Sequence, residues 1–472
     1  MTVNKECVNT MENISNSEIK NMFQGRIWPV TLKLTIPIAI SNLLAYLYLI
    51  TDTFFITQID PSSTALLSGP ALVFPFFFLF MSLGIGLTVG VSTLIARGIG
   101  ENNKRIIDNT ADTGLFISSI IAFFIITFGY SFAHEIIHLL AGTELTVDAI
   151  QYGLDYYYYL LPGLGMMLFA YVFFGLLQGE GLTKNIAIAS IIAFVSNMIL
   201  DPLLIFGFKM EVAGAALAST ISYAIAGVYV IQLFITKKSC VPIHWNLFKT
   251  RKTIIYHIIR IGFPESLSML SMSITFIFLN NIVSSIDEVA MNSWSLCSRT
   301  DQILLIPAIA VSSSTITMIG QNYGRKNIRR LINIYKFNVM FALSIVLFLA
   351  FVYNLAARPL FGFFTTVQEV IEGAVLQIRY ISFTYIGIST IAISGATFQA
   401  TGRPLPALLI RLIQIGLITI PLAFLSVKFL QMGMVGIFIS IATGHMLLLI
   451  ISWFWTDLHL KNLEHRTLDY LD

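Results

Sequence analysis

The chain has 472 residues, of which 56% are hydrophobic and 11% are charged, and its mean hydropathy is +0.81. Soluble domains carry about 25% charged residues, so the composition excludes an ordinary soluble protein and indicates an integral membrane protein. A net charge of +3 gives no reason to expect a nucleic-acid partner.

Long apolar runs along the chain can cross a membrane as helices, because about 20 residues span the hydrocarbon core. A β-barrel would need strands of about 10 residues with alternating polarity, and these runs do not alternate. The polar segment 1–29 contains no apolar core before a cleavage site, so the first span is expected to act as the insertion signal. The twelve predicted spans are 30–57, 64–98, 106–140, 147–180, 184–208, 211–236, 253–286, 288–320, 328–357, 367–401, 404–427 and 431–456.

Lysine and arginine orient the spans, because these residues accumulate in cytoplasmic loops. Of the 28 such residues, 22 fall on the cytoplasmic side when both termini are placed inside the cell. Three fall within or near spans, at Arg299, Arg379 and Arg411. The outer side has the remaining three, Lys209, Arg358 and Lys428. The asymmetry predicts a multi-pass protein of the inner (cytoplasmic) membrane with both termini in the cytoplasm.

The longest polar connection, "KKSCVPIHWNLFKTRK", separates two groups of six spans. The three cysteines are Cys7 and Cys240, both predicted to be cytoplasmic, and Cys297, which lies in a span, so we expect no disulfide framework. The predicted divisions are an N-terminal tail (1–29), an N-lobe (30–236), an inter-lobe loop (237–252), a C-lobe (253–457) and a C-terminal tail (458–472).

Three short motifs occur twice in the same order, and the offset between the two copies is nearly constant. That offset spans six helices, an even number, so the two halves have the same orientation and form a parallel repeat. Transporters with parallel repeats hold their substrate between the halves, although a structural bundle could also be duplicated. The pairs are "ARGIGENNKR" (96–105) with "GQNYGRKNIR" (320–329), "LQGEG" (177–181) with "FQATG" (398–402), and Pro37 with Pro264.

Two carboxylates lie inside apolar runs, Asp52 in span 1 and Asp201 in span 5. An ionisable group at membrane depth is costly and indicates function by default. Both spans run outward and end six or seven residues later, so the carboxylates are expected at similar depth. Asn197 shares the face of Asp201 at i and i+4, and Ser219 lies at the same level in span 6. Asn197 and Ser219 are each also compatible with simple helix packing.

Pro202 directly follows Asp201 and has no N–H, so the carbonyl of Met198 loses its helical donor. A free carbonyl beside carboxylates suits a small hard cation, while desolvation and like charge favour a bound proton. The residues leave H+ and Na+ open as the coupling ion, with Asp52, Asn197 and Asp201 as candidate Na+ ligands. Asp201 could alternatively cap a second half-helix, and Asp52 could be an interfacial residue that reaches water.

Two further groups are candidates for lining a substrate cavity. Asp155 and Tyr156 begin "DYYYYLLPG" (155–163), whose tyrosines could form an aromatic wall for substrate or an interfacial belt. Arg299 and Asp301 in span 8 could be a buried ion pair or part of a coupling site.

The chain resembles the multidrug and toxic compound extrusion (MATE) family over about residues 25 to 460. The similarity depends on Pro37 fifteen residues before Asp52, and on "NMILDP", "GAALAS", "IGQNYGRKN" and "FQATGRP". The resemblance implies an all-α membrane protein with twelve helices in two pseudo-symmetric six-helix lobes that form a V. It also implies a drug-binding cavity, either central or within a lobe.

Individual residues match positions of known role in the family. Asp52, Asn197 and Asp201 match its N-lobe cation site. Four more positions match: Ser219 keeps a hydroxyl where threonine is common, Ala215 offers its carbonyl, Tyr48 belongs to the polar network, and Pro37 is a bend in helix 1. Some sodium-coupled members also have carboxylates deep in spans 7 and 10. Here those spans have acids only near their ends, at Glu265, Glu369 and Glu372.

The resemblance implies antiport of cationic or amphipathic organic compounds against H+ or Na+. A lipid-linked precursor flippase of the same superfamily is the alternative, although such flippases tend to have a strongly cationic cavity. We expect no enzyme, since HExxH, GxSxG and phosphate-cradling motifs are absent. We also expect no cofactor and a monomer whose partners are small molecules and membrane lipids.

Overall fold

The computed structural model describes residues 21–60, 63–141, 145–244 and 251–468. Residues 1–20, which include Cys7, residues 245–250 of the predicted inter-lobe loop and residues 469–472 of the predicted C-terminal tail lie outside the described residues.

The described chain consists of α-helices joined by short connections. The helices are α1 (Ile27–Thr57), α2 (Ala65–Gly100), α3 (Lys104–Ser131), α4 (Ala133–Ala141), α5 (Val147–Glu180), α6 (Thr183–Pro202), α7 (Glu211–Ile235), α8 (Lys252–Ser284), α9 (Glu288–Gly324), α10 (Ile328–Phe364), α11 (Gln368–Ile381), α12 (Tyr385–Ala400), α13 (Leu405–Leu412), α14 (Ile420–Lys428) and α15 (Gly433–Leu468).

Three of the membrane spans are interrupted by non-α turns. A π-helix, Leu203–Gly207, continues α6, and a 3₁₀ turn, Ser382–Thr384, joins α11 to α12. A second π-helix, Ile413–Thr419, joins α13 to α14. Counted as continuous elements, twelve helices in the described residues are long and apolar enough to cross a membrane. The prediction of an all-α protein with twelve spans is confirmed, and no strand occurs in the part of the chain that is described.

The helices expose many large apolar side chains. On α3, for example, Phe123, Phe124 and Phe128 are all more than half exposed. Soluble monomers rarely expose contiguous apolar patches of this kind, whereas lipid tails cover them at no cost. The exposed phenylalanines are therefore what a membrane-spanning helix is expected to present.

The chain divides into two compact units, one for each lobe. Of the described residues, those within 36–266 form unit 1, and those within 21–35 and 267–468 form unit 2. Each unit has its own apolar core: Tyr157 is fully buried in unit 1, and Phe438 in unit 2. The start of α1 thus clusters with unit 2, and the start of α8 with unit 1.

The repeated motifs lie at corresponding helix ends in both lobes. Asn103 caps α3 and Asn327 caps α10, each accepting a hydrogen bond from the backbone N–H three residues later at 3.3 Å. Gly181 and Gly402 follow the ends of α5 and α12 with φ of 96° and 75°, a conformation that side chains disfavour. The motifs are therefore helix-end signals whose repetition follows from the repeated architecture.

Candidate functional site

Both intramembrane aspartates of the N-lobe are buried. Asp52 on α1 is 6% exposed and Asp201 on α6 is fully buried. The two carboxylates share Asn197 as a neighbour, since its side chain donates to Asp201 and also faces Asp52. The N-lobe therefore brings together two acids that are far apart in the chain, and the burial of Asp52 does not agree with an interfacial residue that reaches water.

The Asp52 carboxylate has uncharged neighbours from three other helices. The hydroxyl of Tyr156 on α5 donates to Asp52 Oδ2 at 3.0 Å. The side chains of Asn197 and Ser219 also face this carboxylate. The second oxygen, Asp52 Oδ1, is buried without a hydrogen-bond partner among the described residues.

Asp201 forms its hydrogen bond within its own helix. Asn197 Nδ2 donates to Asp201 Oδ1 at 3.1 Å, as expected for residues four apart on one face. Asp201 Oδ2 and Asn197 Oδ1 are buried and have no hydrogen-bond partner in the described part of the chain. The π-helix that follows has no side-chain cap, so capping a second half-helix does not account for Asp201.

The backbone beyond Asp201 departs from α-helical geometry at the proline. Since Pro202 cannot donate, the α-helix ends there and the π-helix begins at Leu203. Single-turn π segments are rare overall, but those that occur often lie at functional sites. The Met198 side chain is exposed, so any contribution of Met198 to the site is through its backbone carbonyl.

A glycine on α7 lets that helix pack closely against the π-helix. A Cβ on Gly214 would lie 2.9 Å from the backbone nitrogen of Ile205, closer than real Cβ atoms approach. Ala215, next along α7, is fully buried in a cluster with Ile205. This close packing fixes the helix that presents Ser219 to Asp52.

Two tyrosines form an aromatic wall beside the acids. The ring of Tyr48 stacks on Tyr223 of α7, with centroids 5.8 Å apart and an interplanar angle of 8°. The Tyr48 hydroxyl faces Ser219, although it has no hydrogen bond of ordinary geometry to a described residue. Tyr223 was not predicted, but its position four residues after Ser219 on the same helix face could have indicated it.

Of the four residues that were candidates for a substrate cavity, only Tyr156 contacts the N-lobe acids. Asp155, its neighbour, accepts a hydrogen bond from Gln151 at 3.1 Å. Arg299 on α9 is exposed, whereas Asp301 is half-buried and accepts from the hydroxyl of Tyr353 at 3.3 Å. The assignment of these four residues to a substrate cavity stays a prediction.

Pro37 lies inside α1, close to the point where that helix changes units. Residues through Thr35 cluster with unit 2, where Thr35 and Ser314 share a hydrogen bond of 2.9 Å. From Ile36 onward α1 belongs to unit 1, which includes Asp52. A proline at this position removes one helical hydrogen bond, so the helix is weakened close to the point where it changes units.

The N-lobe cluster is therefore rich in acceptors and contains only uncharged donors. Three oxygens without partners among the described residues (Asp52 Oδ1, Asp201 Oδ2 and Asn197 Oδ1) lie in it. Buried oxygens of this kind are unfavourable unless a proton or cation is bound to them. The arrangement suits a small monovalent cation, either a proton or an ion that prefers oxygen ligands.

Comparison with known proteins identifies the family. The model of the MatE family matches the chain twice, over residues 37–203 and 264–425. The two matches begin at Pro37 and Pro264, the pair with which the sequence repeat begins. The same family model thus describes both lobes, as a duplicated fold requires.

Individual relatives cover nearly the whole chain. The FAD transporter of Shewanella oneidensis is 26% identical over 95% of this chain and 99% of its own. The multidrug export protein MepA of Staphylococcus aureus is 26% identical over 84% of this chain and 87% of its own. A crystal structure of MATE in complex with MaL6 superimposes with a TM-score of 0.88 at 25% identity, covering 94% of this chain and 99% of that one.

The family model covers more than half of the chain, in the two lobes that the sequence motifs predicted. Its members are transporters, so neither a catalytic centre nor a chemical reaction has to be found among the buried polar residues. The chain belongs to the MatE family, the multidrug and toxic compound extrusion family of multi-pass membrane transporters, and it is not an enzyme.

Proposed function

We propose that the protein exports cationic or amphipathic organic compounds in exchange for H+ or Na+, and that the exchanged cation binds in the N-lobe. The relatives named for multidrug export support drugs as the substrate class. The candidate ligands of the cation are Asp52, Asn197 and Asp201, with Ser219 and the carbonyls of Ala215 and Met198 around them.

The observation that carries this proposal is the group of buried oxygens without partners among the described residues. Asp52 Oδ1 and Asp201 Oδ2 are held in an apolar span with only uncharged hydrogen-bonding neighbours. Burying an ionised carboxylate costs several kcal/mol unless it is paired. A bound cation supplies that missing partner. When the cation is released, the buried carboxylates are again unpaired, so the free energy of this lobe depends strongly on whether the cation is bound.

Coupling then requires that the cation bind two conformations of the transporter unequally. In this scheme, binding at Asp52 favours one shape of α1, with Pro37 as the point where the helix bends. Tyr48 and Tyr223 hold the outer part of α1 against α7. The exported compound leaves when the cation binds, and the cation leaves on the cytoplasmic side.

The predicted topology completes the proposal. The protein lies in the inner membrane with both termini in the cytoplasm, as the lysine and arginine distribution indicates. Since one chain contains both lobes, a monomer is sufficient for transport.

The test is export from proteoliposomes that contain the purified full-length protein and a cationic dye. An imposed proton gradient and an imposed sodium gradient are applied separately. We expect one gradient to drive dye movement and the other to have no effect, which identifies the coupling ion. Movement that neither gradient changes would overturn the antiport proposal.

The same liposomes distinguish other substrate classes. Because one relative is named for FAD transport, FAD is assayed beside the dye. Gradient-driven movement of FAD but not of the dye would mean that the substrate is an anionic dinucleotide and not a drug. Movement of a lipid-linked precursor alone would support the flippase alternative.

A further inference from the structure

A half-buried carboxylate in the C-lobe lies among residues of three helices. Asp301 is thirteen residues into α9, or about 20 Å along the helix at ~1.5 Å per residue. The hydroxyl of Tyr353 on α10 donates to Asp301 Oδ1 at 3.3 Å. The Tyr385 hydroxyl, at the start of α12, and the Gln377 amide on α11 face the same carboxylate.

These partners are held in place by their own contacts. Thr300 and the Tyr353 hydroxyl share a hydrogen bond. One turn before Asp301, Cys297 Sγ donates to the carbonyl of Ala374, which fixes α9 against α11. The carboxylate and Gln377 therefore face each other on packed helices and not on mobile loops.

The groups around Asp301 are uncharged, so they do not neutralise it. Tyr353, Tyr385 and Gln377 can donate hydrogen bonds to a carboxylate, but none has a positive charge. Arg299, two residues away, is exposed, and residues two apart on a helix do not face each other. An ionised group at this depth is costly, so a bound cation would stabilise it.

Gln377 adds an independent sign of a bound species. Its side chain is 2% exposed, and Gln377 Oε1 has no hydrogen-bond partner among the described residues. An amide can present either its N–H₂ or its oxygen, since the two orientations are nearly isosteric. The N–H₂ suits an ionised Asp301, and the oxygen suits a protonated one, which has an O–H to donate.

We propose that Asp301 is a second proton-binding site of the transporter, located in the C-lobe and independent of the N-lobe cation site. A proton fits better than Na+, because the tyrosine donors occupy lone pairs of the carboxylate that a metal ion would need, whereas the Gln377 oxygen can accept from the protonated carboxyl. The site lies on α9, in span 8, and is separate from Glu265, Glu369 and Glu372 near the ends of spans 7 and 10. Its part in coupling depends on the proposed antiport, but proton binding itself does not.

The test is infrared difference spectroscopy of the C=O stretch of protonated carboxyls, on purified full-length protein acidified within the physiological pH range. The reference form is Asp52→Asn/Asp201→Asn, which removes the N-lobe carboxylates. Adding Asp301→Asn is expected to remove one band of the reference form. Adding Asp148→Asn instead, at an exposed position outside both clusters, is expected to remove none.

Equal spectra with and without Asp301→Asn would overturn the proposal. Loss of the band on adding Na+ at constant pH would also overturn it, since the site would then bind the metal ion. These outcomes do not depend on drug export, so failure of the antiport assay and failure of this proposal are distinguishable.

A second variant keeps the test decisive if Asp301→Asn does not fold. Tyr353→Phe retains the carboxyl but removes one hydrogen bond to it, so the Asp301 band is expected to move to higher frequency. Tyr380→Phe is the matched control, because Tyr380 is an exposed tyrosine of the same lobe and should leave the band in place. An identical band in Tyr353→Phe and Tyr380→Phe would contradict the assignment.

Discussion

The N-lobe gathers two carboxylates, Asp52 and Asp201, whereas the C-lobe cluster has one, Asp301, and each set has uncharged hydrogen-bonding neighbours. Tyrosine, amide and hydroxyl groups face these three acids. Two acids close together need a cation more strongly than one acid does, because like charge adds to desolvation. The N-lobe is therefore the stronger candidate for the main coupling site, and the C-lobe for a secondary one.

The duplicated architecture does not explain this distribution of charge. The two family matches begin at Pro37 and Pro264. When the same offset is applied to Asp52, its counterpart is Leu279, which is 5% exposed in the apolar core of the C-lobe. The repeat has thus kept its helices and end signals, while the carboxylates lie on helices that do not correspond.

The largest expected effect comes from neutralising the N-lobe acids. Asp52→Asn and Asp201→Asn should each reduce gradient-driven dye export to the level of protein-free liposomes. An asparagine amide has no negative charge with which to bind and release the cation. Initial rates of export at equal protein content measure this. Asp148→Asn, at an exposed position outside the site, should retain wild-type export. Normal export by Asp201→Asn would contradict the coupling assignment.

Neutralising the C-lobe acid should reduce export without abolishing it. If Asp301 exchanges a second proton, Asp301→Asn loses part of the driving force and its rate depends less steeply on the imposed proton gradient. The expected loss is at most on the order of tenfold, within the usual range of about 1–3 kcal/mol for coupling between sites. Rates at several gradient sizes measure the steepness. A complete loss of export, equal to that of Asp52→Asn, would make the two lobes equivalent.

A smaller effect is expected from the hydrogen bond that orients Asp52. Tyr156→Phe removes the donor to Asp52 Oδ2, which stabilises the carboxylate when no cation is bound. The variant should hold the cation more tightly, release it more slowly and export several-fold more slowly, since a typical hydrogen bond contributes about 0.5–1.5 kcal/mol net.

Tyr159→Phe is the matched control for Tyr156→Phe. Tyr159 lies on the same helix, is 41% exposed, and contributes its backbone carbonyl to a contact with Thr220. Its export should be unchanged. If Tyr156→Phe and Tyr159→Phe export at the same rate, the hydroxyl has no part in ion exchange.

The sequence was sufficient to predict the fold and to single out the two acids of the candidate site, whose role stays a prediction. Asp52 and Asp201 stand out because a charge in an apolar run is rare, and their depth follows from counting residues to the helix ends. The hydrogen bond from Tyr156 was not predicted, because Tyr156 lies among four consecutive tyrosines and sequence alone does not show which of them faces α1.

The C-lobe cluster was less accessible to sequence reasoning for a similar reason. Asp301 was identified as a candidate, but its partners Tyr353, Tyr385 and Gln377 come from three helices much further along the chain. Nothing local marks them as its neighbours. The π-helix after Pro202 was also not predicted, since a proline indicates only that the α-helix is disturbed there.

The smallest expected effects concern the glycines at close helix contacts in each lobe. A Cβ on Gly214 of the N-lobe would lie 2.9 Å from the backbone nitrogen of Ile205, and a Cβ on Gly387 of the C-lobe would lie closer still to the carbonyl oxygen of His445. Either alanine should lower the free energy of unfolding by about 1–3 kcal/mol, more at Gly387. Thermal unfolding in detergent measures the shift.

The controls for these glycines are on the same helices. A Cβ on Gly227 of α7 meets nothing within 4 Å, and one on Gly395 of α12 meets a side chain at an ordinary 3.5 Å. Alanine there should be neutral or stabilising by up to about 1 kcal/mol, because alanine favours a helix more than glycine does. Suppose that Gly214→Ala is as stable as Gly227→Ala but exports more slowly. The close contact of α7 would then serve transport and would not contribute to stability. The N-lobe would in that case differ from the C-lobe in packing as well as in charge.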